Sequence, residues 1–368
     1  MLNPRKVVAI VLAAICCITA CVGCASKSPT TGSAFATPAE NQKPAASNTV
    51  STGESVDYGP AVSLSFGTTG AAEDISTKAA TYFCDMVKEK SGGNITIELF
   101  PNCQLGNSTA QMEMTAAGSI DLFMDGNLMG SNGVTDAQAL SPILSSTSKE
   151  AFKNTTESGL YAEFEQQFLD LTGVRVIAHN WYRNPTAIIS KNKIDSLESA
   201  AGVKIRVPNV KTTTMVFEGL GFSATPVAYN ESLLSMQQGV IDAIWCTEDA
   251  IYSMGFYEVG NYVLEMNLAA DALLVYANNA RLEGLTEAQR NLIIQCAQEA
   301  GVYYSGLADE ILAENRAKWE AAGVETITLS DTEMARWVEV LQEIGHKIED
   351  EGTWSKGTYD KVLAAARS

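Results

Sequence analysis

From Ala61 to Trp245 the chain switches repeatedly between a hydrophobic period of two and one of about 3.6, and this rhythm admits few folds. Val62-Ser63-Leu64-Ser65-Phe66 alternates as a half-buried strand does, and Gly67-Thr68-Thr69-Gly70 turns the chain. Residues 73–90 then set Ile75, Ala79, Phe83, Met86 and Val87 on one helical face, and Gly92-Gly93 ends the helix. The pattern predicts strands at 95–100 and 120–124 around a helix at 108–118. It recurs with strands at 174–178, 186–190, 201–208, 224–227 and 241–245 and helices at 210–219 and 232–239. Strands alternating with helices imply an α/β fold with mainly parallel sheets. A chain of 368 residues exceeds one typical core and suits two lobes, and no tandem repeat of fixed period is present.

A second constraint lies near the C-terminus. Thr286 to Ala322 contains no proline, and Leu292, Ile293, Cys296, Ala300, Tyr304, Leu307 and Ile311 keep helical spacing. At 1.5 Å per residue such a helix reaches roughly 50 Å, more than the width of one lobe. It either spans both lobes or breaks near Gly301 and Gly306; spanning is the preferred reading.

The first residues read as an address. Arg5 and Lys6 precede the apolar run Val7–Ile18, which is short of the ~20 residues a membrane span needs. Ile18-Thr19-Ala20-Cys21 resembles the lipobox of bacterial lipoproteins, with Cys24 a poorer second choice. A signal peptide over 1–20 and a lipidated Cys21 are therefore expected, the lipid holding the protein to the outer face of the cytoplasmic membrane, with a periplasmic protein as the alternative. Residues 25–57, rich in Ser, Thr, Pro, Ala, Asn and Gly, read as a tether that extends to about residue 60. Cys84, Cys103, Cys246 and Cys296 then remain in the body. An exported chain permits disulfides, and four free thiols are an equal alternative.

Charge and composition remove several functions. Lys and Arg number 25 against 43 Asp and Glu, a net charge of −18, which opposes nucleic-acid binding. An anionic ligand would need local cations. With only His179 and His346 in the chain, a histidine-based zinc site or a Ser/His/Asp triad is improbable. Neither a Gly-x-Ser-x-Gly elbow nor His-Glu-x-x-His occurs, so neither a catalytic group nor a cofactor is expected.

Phe83-Cys84-Asp85-Met86-Val87-Lys88-Glu89-Lys90-Ser91-Gly92-Gly93, followed by Phe100-Pro101-Asn102-Cys103-Gln104-Leu105-Gly106, resembles the N-terminal signature of the extracytoplasmic solute-binding proteins of TRAP transporters, the DctP family. Gly202-Val203-Lys204-Ile205-Arg206-Val207-Pro208, Met236-Gln237-Gln238-Gly239-Val240-Ile241-Asp242 and Phe256-Tyr257-Glu258-Val259 continue it, so the resemblance covers about residues 62–350. It implies a two-lobed periplasmic-binding-protein-like fold with a ligand cleft between the lobes and a long helix spanning both. The expected division is 61–180 with about 271–311 in the first lobe and 181–270 with about 312–366 in the second. It further implies a monomer that captures a small organic acid and passes it to TRAP permease subunits in the membrane. A receptor of the same fold that presents its ligand to a membrane sensor is the alternative.

The resemblance also assigns residues. Arg206 stands in the motif whose arginine takes the solute carboxylate as a bidentate pair, a match of planar fork to carboxylate. Arg183 stands near a second cleft arginine, but the spacing to Ser190 is about two residues longer than usual. Either the loop carries an insertion and Arg183 still points inward, or that role is lost. By residue type rather than by resemblance, Trp181 and Trp245 are candidate cleft walls, with a place in the core as the alternative. Trp245 occupies a position where relatives carry a polar or acidic residue, which argues against a small dicarboxylate and for a larger or aromatic acid. Met124 and Asp125 follow the third strand, where ligand loops of α/β sheets gather, and Asn209 follows Arg206 closely enough to reach the solute. Glu248 and Asp249 either contact an amino or hydroxyl group or stand as solvated surface charges, the latter preferred.

Overall fold

The structure is a computed structural model that describes residues 56–145, 148–266 and 269–367. The expected signal peptide, the lipidation at Cys21 and most of the tether lie outside the described residues. In chain order the strands are β1 (Val62–Thr68), β2 (Ile95–Phe100), β3 (Leu122–Asp125), β4 (Val174–Tyr182), β5 (Thr186–Ser190), β6 (Lys204–Val207), β7 (Ser223–Pro226), β8 (Ala243–Thr247), β9 (Tyr262–Glu265), β10 (Ala272–Asn278) and β11 (Glu325–Thr328). They form one sheet of order β2-β1-β3-β10-β4 and a second of order β11-β9-β5-β8-β6-β7, each with helices around it.

Both sheets are mixed rather than mainly parallel. The pairs β1/β2, β1/β3, β6/β7, β6/β8 and β9/β11 run parallel, as helical crossovers require. The exceptions are β5 and β10, each antiparallel to both of its neighbours. The cause is how the chain changes sheets. From β4 it enters β5 through three residues, 183–185, and from β9 it returns to β10 through residues 266–271, with no helix among the described residues to reverse its direction. All seven residues of β10 are buried, which explains its apolar run Ala-Leu-Leu-Val-Tyr-Ala.

The helix Glu287–Ala321 runs unbroken for 35 residues, about 50 Å, opened by a capping box between Thr286 and Gln289. Cys296, Ala297, Ala300 and Tyr304 pack into the core of the first sheet, whereas Trp319 packs among Ile189, Ile244 and Val263 of the second. It therefore touches both lobes. The two glycines within it differ. A Cβ on Gly301 would lie 2.4 Å from Asn180 Oδ1 and 2.6 Å from Trp181 Cδ1, while one on Gly306 would meet nothing within 4 Å. Gly301 lets β4 press against the helix. Gly301→Ala should cost about 1–3 kcal/mol through overpacking, even after its gain in helix propensity. Gly306→Ala should stabilise by up to about 1 kcal/mol. Urea unfolding of the two variants checks the contrast, and equal midpoints would refute it.

The C-terminal segment returns to the region after β3. Tyr359 donates its hydroxyl hydrogen to the Leu144 carbonyl at 2.9 Å, and Ser355 N–H donates to Asp136 at 2.6 Å. Of the two readings of the cysteines, the structure holds the free one: Cys84, Cys103, Cys246 and Cys296 are all unpaired thiols.

Candidate functional site: a cleft between the sheets

A cavity of about 650 Å³ opens between the two lobes. Thr68 and Asp125 reach it from the carboxyl ends of β1 and β3, and Arg206 and Thr247 from those of β6 and β8. Arg183 and Asp271 reach it from the two short links that join the sheets. Strand ends are where side chains of an open α/β sheet escape the core, so facing two sheets end to end yields a cleft lined from both.

Arg206 forms part of the wall and is only 6% exposed. Its Nε–H donates to the Val227 carbonyl at 3.0 Å, and its guanidinium carbon stands 5.5 Å from the Tyr229 ring centroid. Burial lowers its pKa from the ordinary arginine value. No carboxylate among the described residues lies within 4 Å of it, so its two Nη groups face the cleft without an ionic partner.

Arg183 is placed differently. It donates through Nη1 to Asp271 at 3.4 Å and through Nη2 to the Thr247 hydroxyl at 3.5 Å, while its Nε is buried without a partner. Burial works against its charge, but Asp271, Tyr304 and Asp249 outweigh it and the pKa is raised. Its backbone N–H donates to the Asp271 carbonyl at 2.9 Å, so the two links that cross between sheets are tied together at Arg183. Of the two sequence readings, the inward-pointing one describes the geometry.

Other predicted residues divide. Trp245, Asn209 and Asp125 line the cavity. The Trp245 ring packs 5.4 Å from Phe217, and its Nε1–H is buried without an acceptor. Asp125 accepts from Gly126 N–H at 2.7 Å and from the Thr69 hydroxyl at 3.4 Å. Three residues belong elsewhere. Trp181 is fully buried against the long helix, donating to the Ala297 carbonyl at 2.9 Å, and it shares the core of the first sheet with Ile177 and Ala178 of β4. Met124 sits likewise in the core of the first sheet. Glu248 faces away from the cleft, 3.9 Å from Arg316 of the long helix. Nor are Glu248 and Asp249 solvated surface charges: they are 1% and 4% exposed.

Asp74, Thr186, Tyr229, Asp271 and Tyr304 also line the cleft, and nothing in the sequence pattern pointed to them. Asp74 was hidden by an ordinary task, since its Oδ1 caps the helix Ile75–Lys90 by accepting from Ser76 N–H at 2.8 Å. Asp271 precedes a strand that only tertiary structure reveals. No group of three or more His, Cys, Asp or Glu among the described residues could hold a metal.

The model of the family described as "Bacterial extracellular solute-binding protein, family 7" matches residues 66–351. The chain belongs to this family. It is a solute-binding receptor and not an enzyme. It is 29% identical over 272 residues to the 2,3-diketo-L-gulonate-binding periplasmic protein of Escherichia coli, covering 73% of this chain and 81% of that one. Its fold matches a TRAP periplasmic solute-binding protein of Roseobacter denitrificans with bound L-galactonate, at TM-score 0.73 and 26% identity over 82% of this chain and 98% of that one. It also matches one from Ochrobacterium anthropi with bound L-fuconate, at TM-score 0.74 and 25% identity over 83% and 99%. The DctP resemblance and the two-lobed fold read from the sequence both hold.

Proposed function

We propose that this protein captures a small organic acid in the interlobe cleft and delivers it to the membrane subunits of a TRAP-type transporter. The observation that carries the proposal is Arg206: a buried guanidinium with no carboxylate beside it is costly, and an anion brought by the solute removes that cost. Val227 and Tyr229 hold the fork in place before the solute arrives, which lowers the entropy of capture. A cavity of about 650 Å³ suits a six-carbon acid. The relatives named above have polyhydroxylated acids of that size in their names or in their clefts, which supports a sugar-acid class over a small dicarboxylate. Trp245 supplies an apolar wall for the carbon chain.

The two links at Arg183 and Asp271 act as the hinge, and a solute that touches both lobes favours the closed state. Membrane attachment through a lipid on Cys21 forms part of the proposal. It predicts that the mature protein begins at that residue, which intact-mass measurement reads directly.

A thermal-shift panel of aldonates, uronates, C4-dicarboxylates, aromatic acids and amino acids tests the capture step. A ligand at 100 times its Kd adds about 2.7 kcal/mol of stability. A rise in Tm with at least one carboxylate, backed by calorimetry, is the expected result. A folded protein that responds to none of them, and whose denatured extract releases no acid to mass spectrometry, overturns the reading.

A further inference from the structure

The charged groups lining the cleft do not balance in the way a simple anion would ask for. Asp74, Asp125, Asp249 and Asp271 face it against Arg183 and Arg206. Three of these carboxylates have structural work. Asp125 accepts from Gly126 and Thr69, Asp271 accepts from Ala272 N–H and Arg183, and Asp74 caps its helix. Asp249 does not. It is 4% exposed, lines the cavity, and its Oδ1 is buried with no hydrogen-bond partner. An ionised oxygen left so is expensive unless something from outside meets it.

We infer that the solute carries a protonated amine in addition to its carboxylate, and that Asp249 receives the amine while Arg206 receives the carboxylate. The inference rests on the reading of the cleft as a carboxylate site and adds the second pole of the ligand. A hydroxyl could satisfy Asp249 Oδ1 but would leave the charge of the lining uncompensated, and a monoanionic solute would make the excess of negative charge larger. An ammonium also donates, and it offsets the charge of the solute's own carboxylate, so the excess of negative charge in the lining does not grow. Asp74 lines the same cavity, and its charge acts on Asp249. Burial, and after it the charge of Asp74, push Asp249 up to about 6. Arg183, on the other side of Asp249, acts in the opposite direction.

Calorimetry with matched ligands tests this. The first pair is a hexonate and its 2-amino-2-deoxy counterpart; the second is a series of ω-hydroxy and ω-amino acids of four to six carbons, which varies the distance between the poles. We expect at least one amino acid to bind 10-fold or more tightly than its hydroxy partner. In Asp249→Asn that ratio should fall to near one, and a cooperative thermal transition of the ligand-free variant shows that it is folded. Equal or tighter binding of the hydroxy partner in every pair, or a ratio unchanged in Asp249→Asn, overturns the amine while leaving the carboxylate site standing. Binding of no acid from either set overturns both.

Discussion

Replacing Arg206 by alanine should weaken solute binding by about 2–5 kcal/mol, a factor of roughly 30 to several thousand in Kd. The size follows from where the side chain sits. It is 6% exposed, its Nε is already committed to Val227, and the Tyr229 ring lies 5.5 Å away, so little must be ordered when an anion meets the Nη pair. Arg206→Lys should recover only part of the loss, since an ammonium is a point charge and cannot reproduce the planar fork. The same site makes a second demand that an ordinary structural arginine would not. Arg206→Met keeps much of the volume and removes a buried charge that has no carboxylate within reach, so the ligand-free protein should be as stable as the wild type or more so. Affinity from calorimetry and Tm without ligand therefore move in opposite directions or independently. If Arg206→Met is markedly less stable while its affinity is intact, the arginine serves the fold and the anchor is elsewhere.

What could be read in the sequence depended on how local its cause was. Helix and strand rhythms come from side chains two to four residues apart, so the helix Lys211–Gly219 and the strand Thr186–Ser190 stand where the periodicity places them. The long helix was equally legible, because nothing in thirty-five residues ends it. The antiparallel insertion of β5 and β10 was not. It depends on which sheet a strand enters after a short link, and no residue in Thr186–Ser190 records that. The cleft divided along the same line. Arg206 lies in a contiguous motif, so its place could be transferred; Asp271 and Tyr229 reach the cavity only because separate segments converge there. Trp181 failed for another reason: an indole before a hinge looks like a wall, yet it packs with Ile177 and Ala178 in the core and donates to the long helix. Glu248 and Asp249 are adjacent acids that take opposite directions, one to the long helix and one to the cleft, and charge alone could not distinguish them.

Between pH 5 and pH 8 the protein should lose stability as pH rises, and Glu248→Gln should remove a large part of that loss. Glu248 is 1% exposed, with Oε2 unpartnered by hydrogen bonds and Arg316 3.9 Å away. Arg316 is committed closely to Glu265 from the other side. Burial, then the charge of Glu265, raise the Glu248 carboxyl from 4.5 to about 7, with Arg316 opposing and Asp249 adding to the rise. A carboxyl whose folded pKa lies above its unfolded one binds its proton more tightly in the folded state. At pH values below about 4.5 both states are protonated and the group contributes nothing to the difference. Across the window from 4.5 to about 7 the unfolded chain releases the proton first, and stability falls. Above that window the cost is complete, on the order of 3 kcal/mol. Asp249 and Asp271, raised in the same direction by burial, add to the slope with the same sign. The lowered carboxylates Glu198, Glu299, Glu314 and Glu349 lose their pairing only in more acid solution, below this window. Glu248→Gln keeps the shape and removes the titration. Its Tm at pH 8 should exceed that of the wild type, with the two curves converging near pH 5. Thermal unfolding of both proteins over that range decides the matter, and parallel curves would show that Glu248 titrates normally in the fold.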